Sequence, residues 1–128
     1  MDSDRKNILV IEDHDSIRML FQQFLSKRFD VVAKKDGFEG LAWLSLGNIP
    51  DLIILDMSMP RISGLDFLNN IRNSGFFREI PVVIVSAEDD SKIIDQCYQL
   101  GIDGFYIKPF DLIKLNDKIN KILTHTVN

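Results

Sequence analysis

Cysteine is almost missing from this chain. Cys97 is its one thiol, so no disulfide can form within it, which suits a reducing compartment. Histidine is equally scarce. His14 has no second His or Cys nearby in the sequence, and His125 lies in the tail, so a zinc site of the Cys/His kind is excluded. Long apolar runs are absent as well: none approaches the roughly 20 residues that span a bilayer. The opening segment, MDSDRKN, lacks the apolar stretch of a signal peptide. The formal net charge is -4, and no cluster of Lys and Arg offers the basic patch that duplex binding ordinarily requires. Repeats, low-complexity tracts and Pro/Gly/Ser linkers are missing too. The 128 residues therefore read as one domain, long enough to bury a real core. The expectation is a cytoplasmic protein that neither inserts into a membrane nor binds nucleic acid directly.

What is present is a regular alternation of two apolar patterns. Short strand-like runs fall at Ile8–Ile11, Val31–Ala33, Leu52–Leu55, Pro81–Val85 and Gly104–Ile107. Leu52-Ile53-Ile54-Leu55 and Val82-Val83-Ile84-Val85 are continuous, the mark of strands covered on both faces. Between them lie helical stripes. Ile17, Leu20, Phe21, Phe24 and Leu25 form the first; Phe38, Leu41 and Ala42 the second, opened by Asp36 with Glu39 three residues on, a capping-box spacing. Leu65, Leu68 and Ile71 follow Ser63, an N-cap residue. Ile93, Ile94, Cys97 and Tyr98 form the fourth, with Cys97 expected as a small buried residue. Leu112, Leu115, Ile119 and Ile122 form the fifth. The alternation predicts an α/β fold, a doubly wound five-stranded parallel sheet of (βα)5 type.

Ligands of such sheets bind at the carboxyl ends of the strands, near a reversal of strand order. Glu12 and Asp13 follow strand 1, Asp56 strand 3, Ser86 strand 4 and Lys108 strand 5. The fold is expected to gather these five. Three carboxylates in one crevice repel each other, and a hard divalent cation such as Mg2+ removes the conflict through oxygen ligation. Lys108 adds a compact positive charge and Ser86 a hydroxyl. A metal, an ammonium and a hydroxyl around one oxyanion suit phosphoryl transfer, and a carboxylate placed there can itself be the nucleophile. Asp15 is set apart from the cluster as the expected cap of helix 1. Trp43 is expected to pack, with part of its ring exposed.

Glu12-Asp13, Asp56-Met57-Ser58-Met59-Pro60 with Gly64 eight residues beyond the Asp, Ser86-Ala87, and Lys108-Pro109-Phe110 each stand at a strand end, in order. Together they resemble the receiver domain of two-component response regulators, from about Asn7 to the last helix. The resemblance implies a flavodoxin-like receiver fold filling residues 1–128 (core about 7–124), with no output domain in the chain. It implies that Asp56 accepts a phosphoryl group from a sensor histidine kinase or a histidine phosphotransfer protein. Asp13 and Asp56 would ligate Mg2+ (or Mn2+) directly, with the Ser58 backbone carbonyl, and Glu12 would act through a water. Lys108 and Ser86 would hold phosphate oxygens beside the Ala87 backbone N–H. Ser86 and Phe105 would be the switch residues, and the bond before Pro109 would be cis. Phosphorylation would change the surface of helix 4, strand 5 and helix 5. Phe105 lacks the hydroxyl of the Tyr often found at its position, so an output contact there would be apolar. The resemblance further implies a monomer or weak homodimer and a switch rather than a turnover enzyme.

Other functions of (βα)5 proteins fit less well. A flavodoxin-like FMN carrier needs hydroxyls and amides after strand 1, where acids stand. A P-loop requires GxxxxGK[ST], which is absent. A Mg2+-dependent phosphohydrolase acting through an aspartyl-phosphate generally has a second Asp two residues after the nucleophile, where this chain has Ser58. An adaptor that keeps the fold but signals without phosphorylation is the nearer alternative.

Overall fold

The structure is a computed structural model describing residues 5–125, the last of them by its backbone alone. Strands and helices alternate without exception among the described residues. They run β1 (Asn7–Ile11), α1 (Asp15–Leu25), β2 (Asp30–Lys34), α2 (Gly37–Ser45), β3 (Leu52–Leu55), α3 (Gly64–Arg72), β4 (Val82–Ser86), α4 (Ser91–Gln99), β5 (Gly104–Ile107) and α5 (Leu112–His125). The strands form one parallel sheet in the order β2-β1-β3-β4-β5. The (βα)5 expectation is met. Strand order reverses between β1 and β3, so the crevice opens between those two strands.

The continuous apolar runs divide between two cores because successive strand side chains point to opposite faces. Leu9, Ile11, Ile53, Leu55, Val82 and Ile84 pack on one side with Phe67, Leu68, Ile71 and Cys97. Ile8, Val10, Leu52, Ile54, Val83 and Val85 pack on the other with Phe21, Leu25, Leu115 and Ile119. Each large side chain so buried contributes roughly 1.5–3 kcal/mol, and the two layers hold both faces of the sheet.

Cys97 is buried, as its place in the stripe predicts, with its Sγ 3.8 Å from Met57 Sδ. Burial pushes its thiol pKa up, so it is not an activated thiol. Trp43 is half-buried against the first core. The tail residue His125 lies outside the described side chains.

Two helical expectations need correction. The buried face of α2 is Gly37, Gly40 and Leu44, whereas Phe38 is 58% exposed and Ala42 is also outside. Helix α2 approaches the sheet through its glycines: a Cβ on Gly40 would stand 2.5 Å from Ile11 Cδ1. Apolar periodicity cannot register a face made by absent side chains. Asp15 does not cap α1. The N-cap is His14, without a side-chain cap bond, and Asp15 is the first helical residue, paired with Arg18. An acid in that first turn still complements the helix dipole.

The other caps stand where expected. Ser63 Oγ accepts from the Asp66 amide, and Asp36 Oδ1 from the Glu39 amide at 2.8 Å. The Asp36–Glu39 box is one-sided, since the Glu39 carboxylate faces the Lys35 amide instead. Asp36 is buried and receives Arg61 at 2.8 Å from the β3–α3 loop, where Arg61 holds a left-handed φ of 67°. Gly64 closes that loop: its amide donates to the Met57 carbonyl at 2.9 Å. A Cβ there would meet the Asp56 carbonyl oxygen and Met57 Cα, both at 2.5 Å.

Two outcomes follow for stability. Gly64→Ala forces backbone to move rather than a side chain, and should cost about 1–3 kcal/mol while shifting the amide resonances of Asp56 and Met57. Wild-type stability and unshifted resonances would contradict that close approach. Asp36→Ala should lose roughly 0.5–2 kcal/mol in urea unfolding at neutral pH. The Glu39 amide, opposed by burial and aided by Arg61 and Lys35, holds the Asp36 carboxyl below the ordinary range. The stabilisation from that charge is full above the unfolded pKa of about 3.9 and is lost as pH falls through the lower folded value. The gap between wild type and Asp36→Asn should therefore narrow in acid, and a gap that widens below about pH 4 would refute it.

Candidate functional site

The carboxyl edge of the sheet is set by hydrogen bonds that continue the ladder one residue past the strands. Glu12 N–H donates to the Lys34 carbonyl (3.0 Å), Asp56 N–H to the Ile11 carbonyl (3.0 Å) and Lys108 N–H to the Ser86 carbonyl (2.8 Å). The backbones of Glu12, Asp56 and Lys108 are thus tied into the sheet. Beyond Lys108, the bond to Pro109 is cis, as the resemblance implied, and Phe110 stacks on Phe21 of α1 with ring centroids 5.4 Å apart.

At the centre are two buried carboxylates, Glu12 at 1% and Asp56 at 2% exposure. Lys108 Nζ lies 3.0 Å from Glu12 Oε1 and 3.8 Å from Asp56 Oδ2. The second oxygen of Glu12 accepts from the His14 amide at 3.0 Å and lies 3.4 Å from His14 Nδ1. Asp56 Oδ1 accepts from the Ser58 amide at 3.3 Å. Asp56 Oδ2 is buried and makes no hydrogen bond. Burial raises the Asp56 pKa, and the neighbouring Glu12 charge raises it further; Lys108, the Ser58 amide and the Ser86 hydroxyl work against them. One ammonium between two buried carboxylates leaves the crevice short of positive charge. A buried oxygen without a hydrogen-bond donor in that position fits a hard divalent cation.

The residues singled out from the sequence divide into a core and a rim. Ser86 is fully buried, its Oγ accepting from the Glu88 amide at 3.1 Å, and Ala87 beside it is exposed. Ser58 and Asp13 are exposed at the mouth. Ligand atoms of Glu12, His14 and Asp56 lie within 4.8 Å of one another, a set that Asp13 does not join. Phe105 pairs in register with Ile84 and is half-buried against the first core, while Tyr106 faces the second.

Sequence reasoning set His14 aside as a lone imidazole, yet the turn after β1 brings it onto Glu12. It also overlooked Arg18, whose guanidinium donates to the carbonyls of Glu12 (2.9 Å) and Asp13 (3.3 Å) and pairs with Asp15. Arg18 ties α1 to the acidic turn. The spacing of Asp15 and Arg18 was a visible signal for their pairing, but nothing in the sequence marked the contacts to backbone carbonyls.

Comparison with known proteins places this geometry in a family. Residues 8–120 match the response regulator receiver domain. Chemotaxis protein CheY-3 of Vibrio cholerae is 30% identical over 117 residues, 90% of this chain and 89% of that protein. The signal receiver domain of a histidine kinase from Syntrophus aciditrophicus has the same fold, with a TM-score of 0.87 at 25% identity over 96% of this chain and 93% of that one. The Mn2+-bound form of response regulator Rcp1 shares the fold at a TM-score of 0.76 and 23% identity, over 93% and 90% of the two chains. Some relatives are far longer. The chain is 28% identical over 95% of its length to sensor histidine kinase TmoS of Ectopseudomonas mendocina, of which it spans 12%, and it spans 8% of hybrid histidine kinase D of Dictyostelium discoideum. Receiver domains thus occur within histidine kinases as well as in short regulators. They are signalling switches rather than turnover enzymes, and they bind a divalent metal at an acidic pocket. With five parallel strands, an acidic crevice at their carboxyl ends and a family match over most of its length, this chain belongs to the response regulator receiver domains of two-component signalling.

Proposed function

We propose that the protein is a phosphorylation-dependent switch in which Asp56 accepts a phosphoryl group from a sensor histidine kinase or a histidine phosphotransfer protein. The observation that carries this reading is the pairing of buried Asp56 with Glu12 under a single ammonium, with one Asp56 oxygen lacking a hydrogen-bond donor. Asp56 and Asp13, with the Ser58 carbonyl, would hold Mg2+ or Mn2+. Both oxygens of Glu12 already face Lys108 and His14, which suits action through a bound water. The cation supplies positive charge to the phosphoryl oxygens.

A carboxylate oxygen of Asp56 attacks phosphorus as the bond to the donor imidazole nitrogen breaks, and that nitrogen leaves with the electron pair. Lys108 turns from Glu12 to a phosphoryl oxygen, a short movement for a flexible stem. The Ser86 hydroxyl and the Ala87 N–H meet the others. The group adds roughly two negative charges. Ser86 is drawn toward it, and Phe105 moves further inward from its half-buried position. Tyr98 on α4, Ile107 on β5 and Ile113 on α5 are large, exposed apolar residues, at 51%, 45% and 69%. They supply a surface on which such a shift would be read by a protein partner in the cytoplasm. Phosphorylation biases the two states only by the difference in its contacts between them.

Intact-mass measurement after exposure to acetyl phosphate and Mg2+ tests the reading. Wild type should gain one phosphoryl group per chain without sustained turnover, and Asp56→Asn should gain none. An unmodified wild type would favour the adaptor, and continuous phosphate release would favour the hydrolase. Ser86→Ala should still be labelled but lose most of the conformational change seen by amide resonances on α4 and β5. A full wild-type change in that variant would remove Ser86 from the coupling.

A further inference from the structure

The imidazole beside the acidic crevice has no part in the function proposed above. His14 is the N-cap residue of α1, and its side chain leaves the backbone amides there uncapped, so the ring has no structural bond to make in the helix. It lies instead against Glu12, with Nδ1 3.4 Å from Oε2. Its amide donates to the same oxygen, which pins the residue to the carboxylate. The Arg18 guanidinium holds the carbonyls of Glu12 and Asp13 just before His14, and the Arg18 amide donates to the His14 carbonyl at 2.9 Å, so the backbone carrying His14 is bonded on both sides.

One ligand atom each from Glu12, His14 and Asp56 fits within 4.8 Å. Donors on opposite sides of one ion, each about 2.0–2.6 Å from it, stand roughly 4–5 Å apart, so His14 and Asp56 lie within the span of a shared cation, with Glu12 close enough to act through a water. Asp56 Oδ2, buried and without a hydrogen bond, marks independently where positive charge is wanted. The set is mixed, one nitrogen among carboxylate oxygens. Mg2+ prefers oxygen and parts with water reluctantly. Imidazole nitrogen favours the later first-row ions, whose affinities for nitrogen sites rise from Mn2+ through Ni2+.

We propose that His14 contributes an imidazole nitrogen to the divalent cation at Asp56, making this site selective for Mn2+ and later first-row ions over Mg2+. This rests on the cation site described under the proposed function. His14 then acts as a specificity-determining ligand, standing at the exposed rim while Glu12 and Asp56 lie inside.

Pulsed electron paramagnetic resonance of the full chain loaded with Mn2+ reads the ligand directly. Wild type should show nitrogen coupling of coordinated imidazole, and His14→Ala should lack it, which also excludes His125 as the source. Calorimetric titration should show Mn2+ and Ni2+ affinity falling roughly tenfold or more in His14→Ala, with Mg2+ affinity nearly unchanged. Mn2+ bound without nitrogen coupling, or equal losses for all three ions, would overturn the role of His14 while leaving the cation site intact. A wild type that binds neither Mg2+ nor Mn2+, or an Asp56→Asn variant that binds both as well as wild type does, would remove the site and this proposal with it.

Discussion

Two carboxylates are buried side by side at the ends of neighbouring strands, with one lysine ammonium between them. Glu12 and Asp56 are all but inaccessible, and Lys108 lies within 4 Å of both. Leaving a charge in that position without compensation is costly, and burial together with like charge lifts the Asp56 pKa. The crevice is therefore poised to receive positive charge. Much of the surrounding structure serves to keep the acids in place: ladder bonds carry past β1, β3 and β5, Arg18 clasps the first turn, and Gly64 lets α3 close over the Asp56 carbonyl.

The layout of the sheet produces that constraint. Strand order reverses between β1 and β3, so the two acids come from adjacent strands whose following connections turn to opposite faces. Ser86 and Lys108 arrive from the next two strands, where β4 and β5 pair as far as Ser86 and Ile107. The acids are thus joined to β5 by the hydrogen-bond ladders of the sheet.

The β3–α3 loop joins site chemistry to fold stability. Arg61, in a left-handed conformation, reaches the buried carboxylate of Asp36 at the start of α2, and its guanidinium stacks over Phe38, 5.4 Å from the ring centroid. The same loop carries Asp56 at one end and Gly64 at the other. Within the loop the Ser58 amide donates to Asp56 Oδ1.

Much of this was legible in the chain itself. Continuous Val/Ile/Leu runs dictated a parallel sheet covered on both faces, because apolar strands leave no face for water. Alternation with helical stripes dictated the (βα)5 order, and that order by itself brings Glu12, Asp56, Ser86 and Lys108 to one edge. Cap residues Asp36 and Ser63 were visible because capping is local chemistry. Tertiary structure alone decided the rest. It turned α2 onto its glycines, since close approach depends on what lies opposite Gly40. It brought Arg61 to Asp36 and Arg18 to the acidic turn, contacts made to partners that no spacing rule identifies. It brought the imidazole of His14 onto Glu12 and within 4.8 Å of an Asp56 oxygen, because side-chain direction in a turn follows from backbone torsions that local composition leaves open.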